Sequence, residues 1–531
     1  MQVLLLLLIP IPVGLIINII KSEKLWILGT IARLSLLGIT LYNLHDVVTR
    51  GEAIHFRFTD TGLLGIGLTL DLLTGTLSVV CAFLFVIYAI YNRGDGKFNA
   101  TQEFYLLVLE PIIMLLFMTR DIFNLFVLLE VSTIICGTLI MLLREKRSVY
   151  DGLVYIMINT IGIMFYLLGV GLLYRLFGNL DLNFLREQMV TVDKGNLLLP
   201  YAFILTGLSV KSALFPVFLW LPKAHGSPGA PAIVSALLSG IYIKAGVFSL
   251  IQMLLLFNPV IDTSEMVLVI GVISALWGII LAVLSKDIKL ILAYHTVSQI
   301  GLIFIGISRF DDLSFYGGMM HIMNHGLFKS LLFLCVGNVF RLYGTRTITD
   351  IKGLFKRCPV TGIGLLFGIL GITGAPLFNG SISKYLIMSG FDDPVMAVFL
   401  HLINFGTTLS FVKLGSILFG KSTRNIRTNN WIKTSIIIAS ASVLLTGVFG
   451  FNIYTLLTGI DFGMSQAAFI EKAIHWFIYS AVAVLTFMKI LPLFKVYRKG
   501  FNLDLEFNTT AFMTLISFIL YYAYAFVRVG L

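Results

Sequence analysis

Six ionisable residues lie inside runs that are otherwise apolar: Glu130 in NLFVLLEVSTII, Lys211 in GLSVKSALFP, Lys244 in LLSGIYIKAGVF, Lys329 in HGLFKSLLFL, Lys384 in GSISKYLIM and Lys413 in TLSFVKLGSIL. At the centre of a membrane helix each costs about 2.5–3.5 kcal/mol on insertion scales. Several lysines facing lipid would be prohibitive, so they must face the bundle interior, water or a counter-charge. Burial disfavours the charged form of a lysine and a nearby carboxylate restores it. A Glu–Lys pair of changeable geometry is therefore a proton switch. His321, His325 and Lys329 are spaced i, i+4, i+8, on one face of one helix with about 6 Å of rise per step. His295 ends the polar patch SKDIKLILAYH on the preceding segment. Imidazoles near their ordinary pKa are natural relays between lysines. Haem ligation by these histidines is the competing chemistry, disfavoured by the lysine on the same face and more lysines on neighbouring spans.

Three other positions have bland readings. Lys413, near the end of its span, can snorkel to the interface. Asp71 begins an apolar run and fits a membrane surface. Glu110 precedes Pro111, which frees a carbonyl one turn earlier, so a local structural role weighs as much as transport. The four cysteines, Cys81, Cys136, Cys335 and Cys358, show no CxxC or CxxCH spacing. No disulfide framework, metal site or covalent haem is expected.

The elements that carry these residues are membrane helices. Of 531 residues 58% are hydrophobic and 12% charged, with mean hydropathy +0.96. A soluble core cannot hide that much apolar surface. The net charge of +11 resides in short loops, which argues against nucleic acid and for a lipid bilayer. Spans of about 20 residues fall at 2–20, 25–43, 63–92, 104–119, 122–143, 152–177, 198–220, 230–256, 266–284, 288–307, 318–340, 360–389, 395–419, 433–450, 472–493 and 510–528. The first reads as a spanning helix, with an uncleaved signal anchor as the alternative. Odd-numbered loops hold about 22 Lys/Arg, among them Arg144, Arg341, Arg424 and Arg498, and even-numbered loops about 6. Odd loops are thus expected in the cytoplasm and the N-terminus outside, in a multi-pass protein of the cell membrane. The seventh and twelfth spans are interrupted, by Pro216 and Pro222 in one and by Gly374, Pro376 and Gly380 in the other. They lie five spans apart and so run oppositely, which fits an inverted repeat as well as a pair of packing kinks.

Five stretches resemble the antiporter-like subunits shared by Mrp-type cation/proton antiporters, respiratory complex I and membrane-bound hydrogenases. They are DIFNLFVLLEVSTIICGTLI (121–140), KSALFPVFLWLPKAHGSPGAPAIVSALLSGIYIKAG (211–246), SKDIKLILAYHTVSQIGLIFIGI (285–307), HIMNHGLFKSLLFLCVGNV (321–339) and GAPLFNGSISKYLI (374–387). They come in the family's order, and the resemblance covers roughly residues 62–420.

The resemblance implies an all-α polytopic protein of 14–16 helices with two inverted five-helix repeats. Residues 1–103 would be the N-terminal helices, 104–256 the first repeat, 257–419 the second, and 420–531 the C-terminal helices. It implies a Glu130–Lys211 pair, Lys244 as central lysine, a link through His295, His321, His325 and Lys329, and Lys384 as terminal lysine. It implies no cofactor, and partner membrane subunits. Complex I relatives often carry PFHxWLP where this chain has Phe215-Pro216-Val217-Phe218-Leu219-Trp220, which favours the D-type branch of the Mrp antiporter subunits. The expectation is a non-catalytic subunit that moves protons, with sodium as a second candidate ion. The alternative is the equivalent subunit of a complex I or ferredoxin-linked hydrogenase complex. A haem or quinone enzyme and a stand-alone permease rank lower.

Overall fold

The computed structural model describes residues 2–57, 66–96, 99–227, 229–310, 313–421, 427–460, 462–501, 503 and 506–530. Arg424 lies outside the described residues, as does the expected start of the third span. Every expected span corresponds to helix, and thirteen helices are long and apolar enough to cross a bilayer. In chain order they and the shorter ones are α1 (Pro10–Ile20), α2 (Trp26–Arg50), α3 (Leu72–Asp95), α4 (Ala100–Met118), α5 (Ile122–Ile140) and α6 (Lys146–Phe177). Next come α7, in two pieces (Leu198–Lys211 and Trp220–Gly226), α8 (Ala232–Phe257), α9 (Ser264–Leu284), α10 (Ile288–Ile307) and α11 (Leu313–Tyr343). The remainder are α12, also in two pieces (Pro359–Thr373 and Asn379–Ser389), α13 (Pro394–Gly415), α14 (Asn430–Val448), α15 (Gln466–Leu485) and α16 (Phe507–Val529).

One short pair of strands accompanies the helices. Strands β1 (Ile54–Arg57) and β2 (Gly67–Leu70) pair antiparallel, Ile54 opposite Leu70. Alternate β1 residues are half-buried, the period-2 pattern of a hairpin on a protein surface. The hairpin shifts the start of the third helix to Leu72. Asp71 is its N-cap in a capping box with Thr74, and its other oxygen pairs with Arg120 at 2.8 Å.

Two isolated bridges repeat one device. Asp121 pairs with Asp181, and Asp287 with Thr347. Both join the residue before a helix, α5 or α10, to the chain sixty residues on, after the helix that follows. Both aspartates cap their helix: Asp121 accepts from Asn124 N, and Asp287 from Lys289 N and Leu290 N.

The core is threaded by α11, nearly every residue of which is buried from Gly317 to Val339. It crosses α8 where Gly326 faces Gly240, and a Cβ on Gly326 would lie 2.8 Å from the Gly240 carbonyl. Only glycine permits that approach. At this crossing α8 widens into a π turn over Leu238–Tyr242. α3 wedges alongside: the Tyr88 hydroxyl meets Ser330 Oγ at 2.6 Å and donates to Ala236 O at 3.1 Å, and Tyr91 donates to Leu334 O.

After α15 the chain passes across the ends of α9 and α10, with Phe501 N donating to Leu284 O and Leu503 N to the Tyr294 hydroxyl. It ends as α16 against α7, Tyr521 OH meeting Ser209 Oγ at 2.6 Å.

Candidate functional site

The first piece of α7 ends on Lys211 itself. Trp220, opening the second piece, donates to Val210 O at 2.8 Å and so occupies one of the carbonyls the break sets free. Lys211 is 3% exposed, and its amine donates to Thr133 Oγ1 of α5. Glu130, one turn earlier on α5, is only half-buried, and its Oε1 accepts from Thr160 of α6 at 3.0 Å. No Glu130–Lys211 contact within 4.0 Å occurs among the described residues. The reason is angular: Thr133 takes the α5 face turned to α7, while Glu130 points toward α6. Glu130 is nonetheless the carboxylate whose field acts on Lys211. Thr133 also lies 3.3 Å from the hydroxyl of Tyr242, in the π turn of α8.

Beyond the π turn, the Lys244 amine donates back to Ser239 O. From Ser239 a polar thread continues. Its hydroxyl meets Thr296 Oγ1 of α10 at 2.6 Å, Thr296 donates to Leu292 O at 3.1 Å, and that carbonyl accepts from Lys329 Nζ at 2.6 Å. Lys244 and Lys329 are thus joined through groups on α8, α10 and α11. His325 stands beside the thread, fully buried, with both ring nitrogens unpartnered among the described residues. Its ring is 6.1 Å from that of His321 and nearly parallel to it.

His321 continues the line toward α12. Its Nδ1 meets Ser383 Oγ at 2.8 Å and its Nε2 meets Gln299 Oε1 at 3.1 Å. Asn324 fixes the break of α12, donating to Asn379 O at 2.9 Å and to Ser383 Oγ at 3.2 Å. Lys384 follows Ser383, and its amine has no partner among the described residues. All three members of the i, i+4, i+8 face, His321, His325 and Lys329, are buried at 0% exposure.

The remaining residues divide. His295 meets Ser410 Oγ of α13 and lies 4.6 Å from the Phe411 ring, centroid to centroid, with Lys329 of α11 near enough for its charge to be felt. Lys413 does not snorkel. It is 3% exposed and donates to Ala282 O, Val283 O and Ser285 O at 2.6–2.8 Å, closing the C-terminus of α9. Glu110 has a partner beyond its own helix: Arg33 of α2 pairs with Glu103 and lies 3.6 Å from Glu110.

Sequence reasoning passed over His225. It is fully buried and stacked 4.6 Å from Phe333 of α11, with both nitrogens unpartnered among the described residues, in the field of Lys329, Lys289 and Lys244. Its signal was present, a histidine inside WLPKAH, but the prolines around it read as a loop. The hydroxyls of Thr133, Tyr242, Thr296 and Ser383 gave no signal, being ordinary in membrane helices. Among the described residues no three His, Cys, Asp or Glu side chains converge as a metal site would require.

The comparisons with known proteins agree on the surrounding fold. Two solved assemblies contain a chain of the same architecture. One is the membrane-bound sulfane sulfur reductase, an archaeal respiratory membrane complex (TM-score 0.81, 22% identity, 91% of this chain and 99% of that one). The other is the Mrp complex from Dietzia sp. DQ12-45-1b (TM-score 0.79, 19% identity, 92% and 98%). In sequence, the chain is 31% identical over 394 residues to the N subunit of the NADH-quinone oxidoreductase of Desulforudis audaxviator, covering 72% of this chain and 78% of that protein. It is 28% identical over 427 residues to the D subunit of the Na(+)/H(+) antiporter of Alkalihalophilus pseudofirmus, covering 78% and 85%. Residues 119–410, more than half the chain and every lysine of the row, match the profile described as NADH:quinone oxidoreductase/Mrp antiporter, transmembrane, and the chain belongs to that family.

Proposed function

We propose that the chain is a proton-translocating membrane subunit, similar to the D subunit of an Mrp-type antiporter and working beside other membrane subunits. The observation that carries the reading is the state of four buried lysines. Lys211, Lys244, Lys329 and Lys384 are 0–4% exposed, and among the described residues none has a carboxylate within 4.0 Å. Their amines meet a hydroxyl, two carbonyls and nothing. An ammonium so placed is held charged only weakly, so it can give up and regain a proton. The row runs Glu130, Lys211, Lys244, Lys329, His325, His321, Lys384. Moving one charge across 100 mV requires about 2.3 kcal/mol, which an opposing sodium gradient supplies in an antiporter. The protein itself then does no catalysis.

Two repeats, 104–256 and 257–419, organise the row. The matched aspartate bridges before α5 and α10 and the breaks in α7 and α12 support that division. The positive-inside bias supports an external N-terminus. A second reading, the same subunit in a redox-driven complex, is favoured by the 31% identity to an NADH-quinone oxidoreductase subunit; there the partner's electron transfer supplies the energy. Lys211→Ala tests both. In vesicles carrying the whole complex it should lower proton transport at least ~10-fold while the subunits still co-purify, because Glu130 is already held by Thr160 and can neutralise by protonation. Wild-type transport would make the lysine structural.

A further inference from the structure

Lys384 borders a cavity that the two five-helix groups do not close by themselves. Its volume is about 240 Å³, and its walls come from both pieces of α12, from the first half of α13 and from α15. The core contributes Lys384, His401 and Asn404; α15 contributes Lys472, His475 and Tyr479. Two buried polar atoms stand there without a partner among the described residues, Lys384 Nζ and Asn404 Oδ1, on side chains of residues 4% and 7% exposed. His401 Nδ1 meets the Tyr479 hydroxyl, and the His475 ring is 5.5 Å from His401 and 6.2 Å from Tyr479. Lys472 is engaged otherwise, donating to Ser381 O at 2.6 Å and lying 4.5 Å over the Tyr385 ring.

The build of α15 is informative. Its polar residues 472, 475 and 479 share one helix face, and that face is turned to Lys384. Ile470, Ile474, Phe477 and Ile478 are exposed, as suits a lipid boundary. A helix serving only as a wall needs no imidazole and phenol on its inner face. The cavity lies at the end of the molecule that carries even-numbered loops, since Ser389 closes α12 and Ala468 belongs to the first turn of α15.

We infer that α15, which lies outside both repeats, completes the proton exit from Lys384, with His401, His475 and Tyr479 as the relay and Glu471 as the exposed carboxylate at its rim. The inference rests on the proton-moving reading above. The groups facing Lys384 are Ser381 and Tyr385 from α12, His401 and Asn404 from α13, and Glu471, Lys472, His475 and Tyr479 from α15. One exposed carboxylate against two lysines disfavours a metal cation. The cavity has room for several waters, each needing ~30 Å³ of liquid volume. In the transfer, the Lys384 ammonium gives one proton to cavity water and is left as the amine. The hydronium passes its proton to one ring nitrogen of a histidine, and the imidazolium releases the proton on its other nitrogen outward. The amine regains a proton from the His321 side, and proton exchange with cavity water or a flip of the ring returns the imidazole from its other tautomer to the starting one.

Two measurements on the whole complex in vesicles test this. The double variant His401→Phe/His475→Phe should lower proton transport at least ~10-fold with subunit recovery unchanged. Separately, Lys384→Cys, in a chain whose four native cysteines are replaced by alanine, should react with a membrane-impermeant thiol reagent from the even-loop face. Ala468→Trp, which fills the cavity mouth, should slow that reaction at least ~10-fold. Labelling needs no transport, so it reads the cavity even if the chain proves to move no protons. Full transport in the histidine double variant, where Lys211→Ala is inactive, would overturn the exit and leave the proposed function standing. Lys384→Cys that reacts from neither face would overturn it too.

Discussion

Each buried lysine meets its desolvation cost differently, and the number of acceptors separates structural from mobile charges. Lys413 has three carbonyls; Lys384 has no partner among the described residues. A buried polar group left unpaired costs about 1–3 kcal/mol, more when charged, so Lys413 is fixed by what it holds together. Lys413→Met should lower the thermal midpoint of the purified complex, by the equivalent of roughly 1–3 kcal/mol, while transport per folded complex stays near wild type. A transport loss without a fall in midpoint would place Lys413 in the row. The lysines were legible in the sequence because a charge interrupts an apolar run whatever its neighbours do. Their partners were not. Whether Lys211 meets Glu130 or Thr133 depends on a rotation of about 60° between residues three apart on α5, which only packing against α6 and α7 decides. His295 shows the same limit: it shares a polar patch with the row in sequence, but its hydrogen bond to Ser410 of α13 depends on how α10 packs.

At the scale of elements, interruptions do the positioning. α7 stops at Lys211, α8 widens before Lys244, and α12 restarts five residues before Lys384. Proline and glycine made two of these legible. The π turn holds a single glycine, Gly240, at the α8–α11 crossing, and one glycine inside a helical run is weak punctuation. The hairpin escaped notice because four alternating residues are a weak signal beside spans of twenty. The cap of α5 carries a pH dependence of its own. Burial, with the nearby Asp181 charge adding to it, raises the Asp121 carboxyl above its ordinary value of 3.8, against the lowering effect of the Asn124 and Phe123 N–H groups. A raised folded value means stability is full below 3.8 and is lost as pH rises through the folded value. Asp121→Asn keeps an acceptor for the Asn124 N–H and removes the charge. Stability above that window should therefore hold or rise in the variant, and its slope with pH should flatten. A clear drop in midpoint at neutral pH would show that the ionised form is needed.

Across the whole molecule, α11 packs against α8, α10 and both pieces of α12. The face bearing His321 and His325 joins the polar thread from Lys244 to the break beside Lys384. His321→Leu/His325→Leu should stop transport yet leave the helices packed, because leucine has similar volume and carries no polar atom to desolvate. The check is proton uptake against thermal midpoint in one preparation; full activity would mean that each half conducts separately. Fold class and span order were legible at this scale, since hydropathy fixes them. The places of α15 and α16 were not, because nothing in an apolar helix says which lysine it will stand beside. Tyr88 adds a consequence of timing. The tyrosine belongs to α3, made early, yet its two partners are Ala236 and Ser330, 148 and 242 residues later. At 5–20 residues per second, roughly 10–50 s pass between synthesis of the tyrosine and synthesis of the serine. The N-terminal helices are thus in the bilayer as a waiting template, and the latch can close only once Ser330 has been made, about three fifths of the way along the 531-residue chain.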